Sequence, residues 1–153
     1  MQICEARSPE QIAAVVNLFR EYAAWLQIDL CFQGFNAELA ALPGAYAPPR
    51  GRLLLGRGAD GPAGCVALRP VGDVTCEMKR LFLRPEFRGK GVGRAMTLRL
   101  LDEARSIGYK NLRLDTLPSM KEAIALYRSL GFQEISPFRD LPAPGTLFMT
   151  ISL

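Results

Sequence analysis

The sequence has no histidine, and that absence removes whole classes of chemistry. Ser-His-Asp and Cys-His catalysis are excluded, and so is a zinc site of the His-Glu-x-x-His kind. A general base, if one is needed, must be a carboxylate, a water chain, a tyrosine or a lysine. Cysteine is sparse: Cys4, Cys31, Cys65 and Cys76 form no Cys-x-x-Cys pair and sit among apolar or small neighbours. Neither a zinc site nor a disulfide framework is indicated, and the four thiols read as small buried hydrophobes. No apolar run reaches the roughly 18–20 residues a membrane-spanning helix needs. The first residues, Met1 to Glu5, carry neither a basic stretch nor an apolar one of the signal-peptide kind, so a soluble cytoplasmic protein is the expectation. Repeats, low-complexity tracts and long linkers are also missing. A chain of 153 residues with ordinary apolar content is expected to form one domain, residues 1–153, around one core.

What the chain does have is a positive balance, +4 from 19 basic and 15 acidic residues. Lys79, Arg80, Arg84, Arg88, Lys90 and Arg94 crowd into one short stretch. Such a cluster suits either nucleic acid or a polyanionic cofactor. The glycines among these charges favour the cofactor. Gly89, Gly91 and Gly93 punctuate the segment Arg88-Gly89-Lys90-Gly91-Val92-Gly93, immediately before an amphipathic helix expected over Gly91–Ile107 and closed by Gly108. Glycine permits left-handed backbone and close approach of a ligand. Successive N–H groups then form a nest for phosphate oxygens, aided by the positive end of the helix dipole. The spacing is neither a P-loop nor Gly-x-Gly-x-x-Gly.

The remaining elements follow from periodicity and punctuation. A strand is expected at Ile3–Ala6. Ser8, Pro9 and Gln11 supply a cap, a first-turn proline and a capping-box partner for a helix from Pro9 to about Gln27. Asn36 is the candidate cap of a short helix running to Leu42, which Pro43, Gly44, Pro48 and Pro49 end. Strands Arg52–Arg57 and Ala63–Arg69 form a hairpin, and Val74–Leu83 makes a longer strand. Leu112–Leu117, a helix Ser119–Leu130, Phe132–Ile135 and Leu147–Leu153 complete the order β-α-α-β-β-β-α-β-α-β-β.

The stretch from Cys76 to Met96 closely resembles the acetyl-CoA-binding core of the GNAT superfamily: a strand, then [Gln/Arg]-x-x-Gly-x-[Gly/Ala], then a helix. Ala123-Ile124-Ala125-Leu126-Tyr127-Arg128-Ser129-Leu130-Gly131-Phe132 resembles the second signature of that family. The likeness spans roughly Val74 to Glu134. It implies an α/β (α+β) GNAT fold: a mixed, largely antiparallel sheet of six to seven strands with a V-shaped splay, flanked by about four helices. It also implies an acetyl-CoA-dependent N-acetyltransferase in which the amine attacks directly in a ternary complex, with no metal. The alternative within the same fold is an acyl-CoA-binding module that senses without turnover. Acetyl-CoA and an amine substrate, of a small molecule or a peptide, are then the expected partners, with neither nucleic acid nor membrane among them. The oligomeric state is left open, a homodimer included.

Carried over position by position, the resemblance has Leu81, Phe82 and Leu83 offer backbone groups to the pantetheine arm. Backbone N–H groups across Arg88, Gly89, Lys90, Gly91, Val92, Gly93 and Arg94 hold the pyrophosphate. Ser119, with Pro118 and Lys121, falls where the family often has Asn or Ser reaching the cofactor; here the Asn is missing. Tyr127 falls where many members place a tyrosine near the thioester sulfur, as a general acid for the departing thiolate or, alternatively, as a packing residue. Glu77 is the candidate base, against the reading of an ion pair with Lys79 or Arg80; Asp29 and Asp115 are weaker alternatives. Acceptor recognition falls to Trp25, Asp29, Phe32 and Phe35, with Tyr46 nearby and Arg139 as a carboxylate holder. These aromatics equally suit plain core filling.

Overall fold

The computed structural model describes residues 1–26, 34–140 and 144–153. Seven strands and four α-helices follow one another as β1 (Gln2–Glu5), α1 (Pro9–Leu26), α2 (Phe35–Ala41), β2 (Arg52–Gly58), β3 (Gly61–Pro70), β4 (Thr75–Leu83), α3 (Val92–Ile107), β5 (Asn111–Thr116), α4 (Lys121–Ser129), β6 (Gln133–Ile135) and β7 (Leu147–Ser152). The order is the one the sequence predicts. Helix α1 starts as its punctuation requires: the Gln11 N–H donates to Ser8 Oγ, and the Gln11 carboxamide oxygen accepts from the Ser8 N–H. At α2 the expected cap is wrong. The helix begins at Phe35 with Gly34 as its left-handed N-cap (φ 71°), so Asn36 lies inside it.

One sheet runs in the order β1-β2-β3-β4-β5-β7-β6, antiparallel everywhere except between β4 and β5. Both faces of its centre are covered. Leu53 and Leu55 pack with Val15, Leu18 and Phe19 of α1. Leu54, Val66 and Leu68 pack with Met96, Leu100 and Ala104 of α3. That double burial explains why β2 and β3 read as continuous apolar runs rather than alternating ones. Cys65 and Cys76 are buried in these two layers and Cys4 is partly so; Cys31 lies outside the described residues. No helix among the described residues is long and apolar enough to cross a membrane.

Two irregularities shape the middle of the sheet. The parallel ladder between β4 and β5 holds only from Thr75↔Asn111 to Glu77↔Arg113, although β4 runs on to Leu83 and β5 to Thr116. Beyond Glu77 the two strands part. The second irregularity is a bulge in β4 against β3, where Ala67 pairs with Lys79 but Cys65 pairs with Phe82. Arg80 occupies the bulge with φ of 62°, the one non-glycine residue described with positive φ. Left-handed backbone costs an L-residue about 1–2 kcal/mol. Here the Arg80 guanidinium is held by Glu38 (Nε to Oε2, 3.1 Å) and lies over the Phe35 ring, which fixes the conformation.

Candidate active site

The parting of β4 from β5 opens a cavity of about 860 Å³ that runs from the end of α1, through the gap, to the start of α3 and α4. A hydrogen bond from the Arg84 N–H to the Ala63 carbonyl fixes which way each β4 residue after Arg80 presents its backbone. Since strand residues alternate, Leu83 and Leu81 turn their N–H and C=O groups to the open edge, and Phe82 turns its own to β3. The backbone role expected of Phe82 is thereby corrected: what Phe82 gives the cavity is its ring. The bulge at Arg80 sets this phase, and the same slip places the Leu81 and Leu83 side chains against the α3 layer while Phe82 faces α1.

At the far end of β4 the chain turns through Pro85–Phe87 into the glycine loop. Gly89 (φ 75°) and Gly91 (φ 79°) are both left-handed, and Gly91 is the N-cap of α3 with no side-chain cap. The first bond of α3 runs from the Ala95 N–H to the Gly91 carbonyl. The N–H groups of Val92, Gly93 and Arg94 thus have no acceptor within the helix and point along its axis toward the loop. Together with the positive end of a helix of 16 residues they make an anion site. Gly89, Gly91, Val92, Gly93 and Arg94 line the cavity. Two members of the expected cradle depart from it. The Arg88 N–H is already taken by the Pro85 carbonyl, and the Lys90 side chain is exposed outside the cavity wall.

The Arg88 side chain has a job of its own. Its Nε donates to the Leu83 carbonyl at 2.9 Å, and its guanidinium lies 4.5 Å from the Trp25 ring centroid and 5.5 Å from that of Phe82. It bridges the open edge of β4 to the end of α1. The basic cluster of the sequence is likewise divided: Arg84 is clamped by Glu21 at 2.9 and 2.7 Å, and Arg80 is buried with Glu38. The cluster therefore forms no flat basic face.

Tyr127 sits on α4 within the cavity wall, 5% exposed, with its ring 5.4 Å from Phe132. Packing and chemistry are compatible here, because the residue belongs to the core cluster and also faces the gap. Burial pushes its phenol above the ordinary value of 10, so the hydroxyl keeps its proton throughout the physiological range. Ser119 and Lys121, at the approach to α4, also line the cavity.

Glu77 is placed otherwise than a general base requires. It is fully buried (0% exposed), is absent from the cavity wall, and is surrounded by cations. Arg69 donates to Oε1 at 2.8 and 3.1 Å, Arg113 donates to Oε2 at 3.2 Å, and Arg139 bonds Oε2 as well. Burial alone would raise the carboxyl pKa, but Arg69, Lys79 and Arg139 outweigh it and hold the group below its usual range. A carboxylate so fully engaged is a poor proton acceptor. The ion-pair reading is the one the geometry supports, with partners the sequence did not suggest: Lys79 stands at 3.9 Å, and Arg80 belongs to Glu38. Strand alternation could not reveal Arg69, Arg113 and Arg139, which come from β3, β5 and the segment after β6.

On the acceptor side, Trp25 is 47% exposed and lines the cavity beside Tyr22. Phe35 (7% exposed) and Tyr46 (3%) are core residues instead, Tyr46 donating to Glu38 at 3.1 Å with its ring edge-on to Phe19. Arg139 is occupied by Glu77 and by Asp115 (2.8 Å), so its guanidinium is not presented to the cavity. Asp29 and Phe32 lie outside the described residues. Asp115 does reach the cavity wall, as does Lys79. Among the described residues no group of three or more Cys, Asp or Glu side chains is placed to hold a metal ion.

Comparison with known proteins places this geometry. The model of the acetyltransferase (GNAT) family matches residues 12–132. An uncharacterized N-acetyltransferase of Schizosaccharomyces pombe is 35% identical over 155 residues, covering 100% of this chain and 95% of that protein. A GNAT-family acetyltransferase from Staphylococcus aureus superposes with a TM-score of 0.82 at 17% identity, over 99% of this chain and 98% of the other. A Salmonella typhimurium protein solved with its cofactor acetyl-CoA superposes with a TM-score of 0.75 at 19% identity, over 99% and 92%.

Proposed function

We propose that this chain, which belongs to the acetyltransferase (GNAT) family, moves an acetyl group from acetyl-CoA to the amine of a small molecule or peptide by direct attack. The observation that carries the reading is the coincidence of three features in one cavity. These are the backbone edge of β4 turned to the gap at Leu81 and Leu83, with the Leu83 carbonyl held by Arg88, the unpaired N–H groups at the start of α3, and the protonated phenol of Tyr127.

The residues present fit acetyl-CoA. The α3 N-terminus and the left-handed glycines suit a pyrophosphate, and the open β4 edge suits a chain of amides that adds as a strand would. Acetyl-CoA supplies an activated acyl carbon on a good leaving group. The protein supplies the rest. The backbone N–H of Leu81, turned to the open edge, is the donor for the carbonyl oxygen as negative charge develops on it. The Tyr127 hydroxyl holds the proton that the leaving sulfur takes up. With both oxygens of Glu77 engaged, removal of the amine proton falls to Asp115, a carboxylate on the cavity wall whose Oδ2 is held by Arg139 and whose Oδ1 takes the proton.

The test is direct. Purified protein titrated with acetyl-CoA should show saturable binding, and an amine library should reveal acceptors that release free thiol. Saturable binding with no thiol release from any amine would favour a sensing module over an enzyme. No binding would remove the reading altogether.

A further inference from the structure

The two ends of the cavity differ in the charge they offer. One end is the glycine loop with its N–H groups. The other lies at Lys79, four residues back along β4 and so about 13 Å from Leu83 at strand spacing. Lys79 is remote from any phosphate seated on α3, yet its side chain is 11% exposed and on the cavity wall.

Its surroundings carry a surplus of positive charge. Arg69, Arg113 and Arg139 gather on Glu77, Arg139 also on Asp115, and Arg80 on Glu38. With protonated Lys79 these are five cations against three carboxylates, net +2 among the described residues. The arginines have carboxylate contacts of 3.2 Å or shorter. Among the described residues the nearest carboxylate to Lys79 is Glu77, at 3.9 Å, too far for a hydrogen bond. Even a partly buried ammonium is costly without a close counter-ion, unless a ligand brings one.

We propose that the acceptor is an amine that also bears a carboxylate, and that Lys79 is the specificity-determining residue that receives it. The ammonium of such a zwitterion meets Asp115 on β5, and its carboxylate meets Lys79 on β4, so both groups are anchored at the point where the strands part. The state of Lys79 without ligand agrees. Burial, then the Arg80 charge, pushes it down to about 8, an effect that a bound carboxylate reverses. This inference rests on the acetyl-transfer reading and deepens it.

The experiment uses the purified full chain, acetyl-CoA, and a library of primary amines in which each amino acid or dipeptide is matched by its C-terminal amide. Thiol release gives kcat/KM for every pair. The acids should be preferred over their amides by ten-fold or more. In Lys79→Gln that preference should shrink to within about three-fold, through KM rather than kcat, with acetyl-CoA affinity unchanged. Lys79→Arg, which keeps the charge, should retain a preference. Acetyl-CoA binding by each variant shows that it is folded. Equal use of acid and amide by the wild type overturns the proposal, as does turnover confined to amines without a carboxylate. A Lys79→Gln variant whose kcat collapses equally on acids and amides would also overturn it, making Lys79 a base instead. Failure to bind acetyl-CoA at all would strike the acetyl-transfer reading, not this one.

Discussion

Replacing Glu77 by glutamine separates the two roles the residue could play. The side chain is fully buried, and Arg69, Arg113 and Arg139 from three separate segments converge on it. At about 3 Å and an effective dielectric of 20, each close pair is worth about 5 kcal/mol before desolvation is subtracted. Removing one partner of a buried pair typically costs about 3–5 kcal/mol, because the cations are left uncompensated. For a domain of this size that corresponds to a fall in melting temperature on the order of 10 °C. Urea unfolding followed by circular dichroism gives the stability change, and thiol release by the folded variant gives kcat and its pH profile. We expect the stability loss in full, with kcat per folded molecule within a few-fold of wild type and its acidic limb unmoved. Acid sensitivity provides a second reading. Glu77 titrates below its ordinary value of 4.5 in the folded state, so its contribution is complete above pH 4.5 and is lost as pH falls through the lowered folded value. The wild type should therefore lose stability more steeply below pH 4.5 than Glu77→Gln does. A stability change under about 1 kcal/mol, joined to a hundred-fold loss of kcat, would refute the structural assignment and restore Glu77 as the base.

Tyr127→Phe should lower kcat on the order of a hundred-fold or more while acetyl-CoA affinity, measured by calorimetry, stays within about two-fold. Because burial lifts the phenol above its ordinary value of 10, the wild-type rate should show no alkaline fall from Tyr127 up to pH 10. Gly91→Ala meets no atom within 4 Å but must hold φ of 79°, so it should cost about 1–2 kcal/mol of stability and weaken acetyl-CoA binding. Gly64→Ala would put a methyl 2.5 Å from the Phe82 carbonyl oxygen and 2.5 Å from Leu83 Cδ2. It should destabilise by about 1–3 kcal/mol and raise the KM for acetyl-CoA, since β3 then pushes the open edge of β4 aside.

The order of elements was legible because each carries a local signal. Ser8 and Gln11 mark the start of α1, Gly108 the end of α3, and the apolar triplet Leu53 to Leu55 a strand covered on both faces. That Gly89, Gly91 and Gly93 would stand at the start of a helix was legible from their spacing, and attention fell on Tyr127, which lines the cavity, through the resemblance of Ala123 to Phe132 to a family signature. The fate of Glu77 was not, because its partners are distant in the chain and enter only when β3, β5 and the segment after β6 assemble. Phe35 and Arg139 misled in the same way. Aromatic character and positive charge do not say whether a side chain faces the cavity or is consumed beneath it. The backbone phase of Phe82 was hidden by the Arg80 bulge, since strict alternation from Cys76 would have put Phe82 on the face of Met78.

That bulge makes the lining of the cavity a matter of parity. The residues of β4 before Arg80 and those after it obey opposite even–odd rules, and a single inserted residue is what joins the two rules. Smoothing the bulge out without losing a residue, so that Leu81 rather than Phe82 pairs with Cys65, would restore a uniform ladder with β3. It would also exchange inside for outside along the last turnings of the strand, sending Phe82 toward α3 and offering its amide, in place of those of Leu81 and Leu83, to the gap. A change that small would line the gap with a different set of backbone groups. The extra residue at Arg80 therefore shapes the cavity as much as the identity of any side chain on β4.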